Sequence, residues 1–337
     1  MFYDKYRSPF VAFNGNPNFT FISEGDGVFP ALSAEDWKRA LDTRPDPSVT
    51  VINIAFKDPW CRHYADFMRT IICLYAVKRL FYPNARVNRI YAGKIAYDWS
   101  RADSPQGQLL HLFFPGAEID NTDVKKEDKI HHWIFFNLSS LVKYLDIAGE
   151  HAITFINQYS DDFVSAVWKY CGATPVDAPF WLEDGYPSRR LRILYAKRWG
   201  GRRRLLKDLE DYLLEILSRY GDITITNFGK NSFKEQVCIA AQHDLIIGVH
   251  GNDLANAIWL PPHGALIELA LEDCKLFHFQ VFMEQIKRRY FGVYDDKLVT
   301  NGCRFGRNQS QYLGRDISKL NFDYVEMALQ QVFGFAA

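Results

Sequence analysis

Residues 232–269 read SFKEQVCIAAQHDLIIGVHGNDLANAIWLPPHGALIEL, and this stretch decides the fold of the second half of the chain. Its hydrophobic pattern predicts a helix over Phe233–Gln242, a buried strand over Leu245–Val249, a short helix over Asp253–Leu260 and a strand over Ala265–Ala270. Two consecutive prolines then end the short helix, because proline cannot continue a helix past its C-terminus. Strands and helices that alternate in this way are typical of a parallel α/β sheet.

The same alternation extends upstream of this stretch. The pattern predicts a strand over Leu191–Ala196, an amphipathic helix over Leu205–Tyr220 and a strand over Ile223–Thr226. Together these segments follow the order βαβαβαβ of a doubly wound sheet. The segment Ala178–Arg190 is rich in prolines and charged residues, and it predicts a domain boundary near residue 182.

The first half of the chain carries a second α/β pattern. A buried strand is predicted over Thr50–Phe56, a long helix over Trp60–Phe81 and a short strand over Val87–Tyr91. The predicted organisation has three parts: residues 1–182, residues 183–305 and a tail over residues 306–337.

The bulk composition argues against several classes of protein. Lys plus Arg total 40 and Asp plus Glu total 40, so the net charge is zero and no nucleic-acid partner is expected. No uncharged run approaches the roughly 20 apolar residues that span a bilayer. The N-terminus MFYDKYRSPF lacks the pattern of a signal peptide. The six cysteines are scattered without metal-ligand spacing, which favours free thiols and a cytoplasmic location.

A turn that suits an anionic ligand follows the strand Leu245–Val249. This strand ends at His250 and Gly251, and the next helix starts at once, so its N-terminus lies at the carboxyl edge of the sheet. The amide groups and the dipole at a helix N-terminus attract a diphosphate. Asn252 is a suitable N-cap residue, and His250 has a ring N–H to donate. The alternative is an ordinary strand–helix turn with a histidine packed beneath it.

This run resembles the signature of the family 61 glycosyltransferases, which include plant xylan-decorating enzymes and animal O-linked N-acetylglucosaminyl enzymes. The family pattern is roughly S-F-x-E-Q, an apolar strand, G-x-H-G-A-G-L-T-N, F-L-P-P-G-A and a strand that ends in Glu. The matching positions are Ser232, Phe233, Glu235, Gln236, Gly248, His250, Gly251, Leu254, Asn256, Leu260, Pro261, Pro262, Gly264, Ala265 and Glu268. Asn252 and Asp253 depart from the pattern, because the family usually has Ala and Gly there.

The resemblance implies a GT-B fold, in which two Rossmann-like α/β domains face each other across a cleft. The N-terminal domain would bind a glycan acceptor and the C-terminal domain a UDP-sugar donor, with UDP-xylose ranked before UDP-N-acetylglucosamine. The transfer would invert the anomeric configuration. The tail helix, predicted over Tyr324–Phe333, would return to the N-terminal domain. The alternative function is a non-catalytic nucleotide- or sugar-binding protein on the same fold.

The resemblance also assigns donor contacts. Arg198 would pair with the diphosphate. The second arginine of the family pattern would be one of Arg202, Arg203 and Arg204, and we take Arg203 as the candidate, although the sequence does not distinguish the three. Ser232 and Glu235 have the spacing of a capping box, so they either cap the helix or bind the ribose or sugar of the donor. The full set of predicted donor-binding residues is Arg198, Arg203, Asn227, Ser232, Glu235, His250, Gly251, Asn252, Asp253, Leu254 and Asn256.

A second segment, Asp58–Phe67, resembles the family's Asn-x-x-His segment that is followed by an Asp. His63 and Asp66 are three residues apart and would share one face of a helix. An inverting transfer needs a base that takes the proton of the acceptor hydroxyl, and we assign that role to Asp66, with His63 as orienter or alternate base. The alternative is a cap or an ion pair in the first turn of the helix.

No two aspartates are separated by a single residue, so the Asp-x-Asp metal motif of many other glycosyltransferases is absent from the sequence. The helix N-terminus and Arg198 would neutralise the leaving diphosphate in place of a metal ion. The sequence therefore predicts activity without a metal or another cofactor.

Overall fold

The chain divides into two compact units, Met1–Phe163 and Val164–Ala337. The computed structural model describes residues 10–12, 50–56, 64–91, 103–120, 133–136, 150–179, 188–199, 204–270, 278–295, 297–300 and 319–333. The division lies inside the long helix Glu150–Cys171, whereas the sequence predicts a boundary near residue 182. In that helix Phe163 stacks on Phe113 of the first unit, with ring centroids 4.4 Å apart.

The first unit contains a five-stranded sheet in the order β1-β5-β2-β3-β4. Its elements are β1 (Phe10–Ala12), β2 (Val51–Phe56), α1 (Tyr64–Phe81), β3 (Arg86–Tyr91), α2 (Pro105–Phe113), β4 (Glu118–Asp120) and β5 (Trp133–Phe136). The helix α3 (Glu150–Cys171) begins in this unit and ends in the second. All neighbouring strands are parallel except β1, which pairs with β5 in the antiparallel sense. The chain moves outward from β2 in one direction and resumes at β5 on the other side, so β2 and β5 flank a topological switch point.

The second unit contains a six-stranded sheet in the order β11-β10-β9-β8-β6-β7. Its elements are β6 (Leu191–Ala196), α4 (Lys207–Tyr220), β7 (Gly221–Thr226), a 3-10 turn (Phe228–Lys230), α5 (Phe233–Ala241), β8 (Leu245–Val249), a 3-10 helix (Asn252–Trp259), β9 (Ala265–Leu269), α6 (His278–Gln285), β10 (Arg289–Val293), β11 (Leu298–Thr300) and α7 (Phe322–Phe333). Only β11 is antiparallel to its neighbour. The switch point of this sheet lies between β6 and β8.

Parallel α/β pairing is confirmed in both units, and the strands β2, β3 and β6 to β9 lie where the sequence predicts strands. Every residue of β8 and β9 is buried, which is why LIIGV and ALIEL are almost continuous apolar runs. The predicted bounds of β6 and β8 match the structure residue for residue. The GT-B arrangement of the two units stays a prediction.

The tail helix α7 packs on the second sheet. Val325, Ala328, Leu329 and Val332 join the same buried core as the strands of that sheet. Arg289 Nη1 donates to the carbonyl oxygens of Gln331 and Val332, at 3.0 Å each, and so satisfies the C-terminal end of the helix. The apolar face of α7 and its C-terminal carbonyls both have partners in the second unit, and the predicted return of the tail helix to the N-terminal domain stays a prediction.

Within the described ranges, no helix is both long enough and apolar enough to cross a membrane.

A buried carboxylate joins three segments at the amino edge of the second sheet. Asp244 is 2% exposed and accepts both terminal nitrogens of Arg189, at 2.6 and 2.8 Å. It also accepts His263 Nε2 at 2.7 Å and the Arg192 amide at 2.8 Å. Burial raises the pKa of Asp244, but the hydrogen bonds from Arg189, His263 and Arg192 outweigh burial and hold the pKa well below its usual value. The ionised carboxylate therefore connects the starts of β6, β8 and β9.

We predict that Asp244→Asn lowers the free energy of unfolding by about 3 kcal/mol, because it leaves Arg189 and His263 without their charged partner. The matched control is Asp222→Asn, since Asp222 pairs with Arg190 at the same edge with both side chains exposed. The control should change stability by no more than about 1 kcal/mol. Urea unfolding followed by tryptophan fluorescence measures both variants, and equal losses would contradict the role of Asp244.

Candidate functional site

The strands β6 and β8 end side by side at the switch point of the second sheet. Ala196 pairs with Gly248 in their parallel register, and Arg198 and His250 each lie two residues further along the chain. In an open α/β sheet, ligands bind outside the carboxyl ends of the strands at such a point. Topology therefore brings together the two predicted segments that carry Arg198 and the His250–Gly251 turn.

Arg198 contacts the backbone of that turn. Its Nη1 donates to the His250 carbonyl oxygen at 2.9 Å. The guanidinium also lies against Gly251: a Cβ atom at this position would stand 2.4 Å from Nη1 and 3.1 Å from Cζ. Gly251 is thus required by close approach, because any side chain here would displace the guanidinium. Arg198 and Gly251, two of the predicted donor-binding residues, therefore pack against each other.

The segment after Gly251 is a 3-10 helix over Asn252–Trp259. Gly251 is its N-cap, in extended backbone conformation, and the Leu254 amide donates to the Gly251 carbonyl at 3.0 Å. The prediction that Asn252 caps this helix is wrong, because the helix begins one residue earlier and Asn252 is already its first residue. In a 3-10 helix the amides of residues 252 and 253 have no partner inside the helix, so they point beyond its N-terminus.

Two predicted donor-binding residues of this helix are buried. Leu254 is fully buried and packs against Gly248, where a Cβ would stand 3.1 Å from Leu254 Cδ2. Its side chain therefore belongs to the core beneath the site. Asn256 is 1% exposed and its Nδ2 donates to the Asp253 carbonyl at 3.1 Å. The Asn256 Oδ1 is buried without a hydrogen-bond partner among the described residues.

His250 takes part in a buried polar chain. The residue is 7% exposed, and its Nδ1 contacts Oε1 of Glu268, which is fully buried in β9. The hydroxyl of Tyr290 donates to the other oxygen, Oε2, at 2.6 Å. Nδ1 of His250 therefore has a partner inside the protein, and the hydrogen bond from His250 to a phosphate stays a prediction.

The contacts of Glu268 with His250 and Tyr290 were not predicted. From the sequence, Glu268 was identified only as a position that matches the family pattern. A signal was nevertheless present: one carboxylate inside the otherwise apolar strand ALIEL of a buried parallel sheet. A charge in that position requires nearby hydrogen-bond donors. Its partners are 18 and 22 residues away in the chain, so the sequence alone does not identify them.

Asp253 gives the site a negative group. The carboxyl is partly buried, and burial raises its pKa, while the positive charge of Arg198 opposes that shift. The resemblance has a glycine at this position, which carries no charge. Asp253 therefore balances part of the charge of Arg198 when no ligand is bound.

Three further predicted donor residues follow β7: Asn227 caps the 3-10 turn, Ser232 caps α5, and Glu235 lies in the first turn of α5. Asn227 Oδ1 accepts the Gly229 amide at 3.0 Å, which stabilises the 3-10 turn. Ser232 and Glu235 form a complete capping box: Ser232 N donates to Glu235 Oε2 at 2.7 Å, and Glu235 N donates to Ser232 Oγ at 3.3 Å. The hydrogen bonds from Ser232 lower the pKa of Glu235. The capping interpretation is confirmed, and a contact of Ser232 or Glu235 with a ligand stays a prediction.

Three predicted residues receive little or no structural description. Arg203 and His63 lie outside the described residues. Asp66 is in the first turn of α1, which follows β2 and so begins at the carboxyl edge of the first sheet, beside its switch point. Its side chain is not part of the description.

In the part of the chain that the structure describes, no three side chains of His, Cys, Asp or Glu lie close enough to hold a metal ion. Independence from metal stays a prediction.

We predict that Asp253→Asn strengthens the binding of a sugar nucleotide at neutral pH. The ionised carboxylate repels a diphosphate, so wild-type affinity should rise as the pH falls through the raised pKa of Asp253. If the bound diphosphate raises the pKa of Asp253 by one further pH unit, the gain in affinity at neutral pH is about tenfold. Isothermal titration with UDP-xylose and UDP-N-acetylglucosamine from pH 5 to 8 measures it, because their diphosphates do not titrate in this range.

The control for this prediction is Asp222→Asn, which removes a carboxylate from the opposite edge of the same sheet. Tighter binding and a flatter pH profile should appear only in the Asp253 variant. Weaker binding in that variant would mean that Asp253 supports the ligand.

The family model of Glycosyltransferase 61 matches residues 63–267, which is more than half of the chain. The matched range begins at His63 and ends inside β9, so it includes Arg198, Gly251 and the 3-10 helix. A comparison with curated proteins finds no match. The chain therefore belongs to the glycosyltransferase 61 family and is a transferase of sugars.

Proposed function

We propose that this glycosyltransferase takes a sugar from a UDP-sugar and transfers it, with inversion and without a metal ion, to a hydroxyl group of a glycan acceptor. One observation carries the proposal: the Arg198 guanidinium is fixed against Gly251 at the N-terminus of a 3-10 helix, on the carboxyl edge of a parallel sheet. This is the place where such folds bind nucleotide phosphates.

The diphosphate is held by groups that are already in position. A guanidinium has five N–H donors, and the His250 carbonyl orients it by accepting from Nη1. The planar geometry and fixed charge of a guanidinium suit phosphate oxygens. The amides of residues 252 and 253 add donors from the start of the helix. Fixed donors stabilise the charge that develops on the departing diphosphate without moving during the reaction.

The proposed chemistry is a single displacement. The acceptor oxygen attacks the anomeric carbon while the bond from that carbon to the diphosphate oxygen breaks. The proton of the acceptor hydroxyl passes to the Asp66 carboxylate, and UDP leaves with the bonding electron pair. The position of Asp66 in the first turn of α1, at the switch point of the first sheet, supports this assignment.

The identity of the sugar rests on the resemblance to plant xylan-decorating and animal O-linked N-acetylglucosaminyl enzymes. We rank UDP-xylose first and UDP-N-acetylglucosamine second. The acceptor belongs to the glycans, because the family transfers sugars to glycan hydroxyls.

A second candidate is a nucleotide-sugar-binding protein without turnover. Asp253 favours it, because a partly buried carboxylate beside Arg198 opposes an anionic donor. Turnover of any UDP-sugar excludes this candidate.

We predict that Arg198→Gln weakens the binding of UDP by about 10–150-fold, the loss expected when hydrogen bonds to a charged group are removed. Thermal-shift titrations in EDTA with UDP, GDP, CMP and the two UDP-sugars measure the change. The matched control is Arg192→Gln, since Arg192 is an exposed residue on the same strand, near its amino end. Control binding should equal wild type. A uridine-dependent shift that survives in Arg198→Gln would place the nucleotide elsewhere.

We predict that Asp66→Asn lowers kcat by about 10²–10⁴-fold while UDP affinity stays within twofold, because a general base acts on the acceptor and leaves donor binding unchanged. Release of UDP from each UDP-sugar, with a panel of glycan acceptors, measures turnover. Asp162→Asn is the control, since Asp162 is exposed on α3 in the same unit. A variant with wild-type kcat would exclude Asp66 as the base.

A further inference from the structure

Trp199 is an exposed aromatic residue just past the end of β6, directly after Arg198. Its side chain is 62% exposed, and no other large hydrophobic residue in the described ranges is as exposed. A single exposed apolar side chain is common on protein surfaces and by itself indicates no function. The position of Trp199 is the informative feature, because it adjoins the arginine of the proposed donor site.

Two lysines contact the indole ring. The Lys197 ammonium lies 4.9 Å from the ring centroid and donates to Glu210 Oε2 at 2.8 Å. Glu210 belongs to α4 and is 7% exposed, and its other oxygen accepts the Tyr195 hydroxyl at 2.9 Å. The Lys230 ammonium lies 5.7 Å from the same ring centroid. An ammonium at these distances attracts the face of an aromatic ring, so the two contacts favour a defined orientation of the indole.

The turn that carries Lys230 follows β7, the neighbour of β6. The Lys197 amide donates to the Thr226 carbonyl at 2.9 Å, so the two strands stay paired up to this turn. Phe228 is 1% exposed and anchors the turn in the core. The segment Arg198–Trp199 therefore contacts the turn after β8 through its guanidinium and the turn after β7 through its indole ring.

An aromatic ring in this place suits a nucleobase. Every base has a flat π face that stacks on an aromatic side chain, whereas the ring of a sugar is puckered. Lys230 is exposed, and an exposed cation–π contact is weak, so its ammonium leaves the indole at little cost. An ammonium group has three donors and no acceptor, and uracil has two carbonyl oxygens that accept hydrogen bonds.

We propose that Trp199 is a base-binding residue of the donor site: its indole ring stacks on the uracil of the UDP-sugar, and the base displaces the Lys230 ammonium from the ring. This inference rests on the proposed function, which puts the diphosphate at Arg198. The displaced ammonium lies at the edge of the base and donates to a carbonyl oxygen. Trp199 thus binds the nucleoside end of the donor and does not contact the sugar that is transferred.

The first test is titration of UDP and UDP-xylose into wild-type protein and two variants. Trp199→Leu should weaken the binding of both ligands equally, by about 5–150-fold, because one base–aromatic stack is lost. Trp199→Phe keeps an aromatic face and should recover most of the affinity. The control is Tyr212→Leu, which removes an aromatic ring of 46% exposure from α4 and should leave both affinities unchanged.

The second test follows the fluorescence of Trp199. The chain has eight tryptophans, so the contribution of this one is the difference between wild-type protein and Trp199→Phe. Saturating UDP should quench wild-type fluorescence through the stacked base, and most of that quenching should be missing in Trp199→Phe, although this variant still binds UDP.

Three results decide against the proposal. Wild-type affinity in Trp199→Leu, or full quenching in Trp199→Phe, would overturn it and leave the proposed function intact. A loss of affinity confined to UDP-xylose would also overturn it, because Trp199 would then contact the sugar. Failure of UDP to bind to wild-type protein would remove the proposed function and this inference together.

Discussion

The hydrogen bond from Arg198 Nη1 to the His250 carbonyl is the contact on which the site depends. It forms because β6 and β8 are neighbours at the switch point and end in register. It requires a glycine at position 251, where a side chain would meet the guanidinium. It also places a cation beside the N-terminus of the 3-10 helix, so that two independent sources of positive potential converge on one place. A doubly wound sheet, a glycine and an arginine thus provide the elements of the proposed anion site.

Arg198 and the N-terminus of the 3-10 helix concentrate positive potential at the proposed site, and nearby carboxylates offset it. Asp253 and the buried Glu268 provide negative groups on two sides of the turn. They differ in exposure and in neighbours. Asp253 is partly buried beside Arg198, whereas Glu268 is enclosed with His250 and Tyr290. In the proposed site we expect Asp253 to compete with a diphosphate. The departure of Asn252 and Asp253 from the family pattern is therefore expected to change the strength of the proposed site more than its location.

Much of this architecture can be predicted from the sequence, because burial on both faces leaves a clear trace. The runs LRILYA and LIIGV predict β6 and β8 correctly, and the capping box at Ser232 marks the start of α5. The local sequence pattern does not predict features that depend on contacts between residues far apart in the chain. The short helix proved to be a 3-10 helix capped at Gly251, because extended backbone there starts the turn early. The strands β10 and β11 escaped prediction, since they are short and follow no clear alternation. The docking of α7 depends on Arg289 and a face of the second sheet, and the network around Glu268 joins residues far apart in the chain.

The crystal structure of the protein with UDP, grown in the presence of EDTA, tests the central claim most directly. We expect the diphosphate between the Arg198 guanidinium and the amides of residues 252 and 253. A diphosphate bound away from the carboxyl ends of β6 and β8, or UDP that binds only after a divalent metal is restored, would contradict the claim.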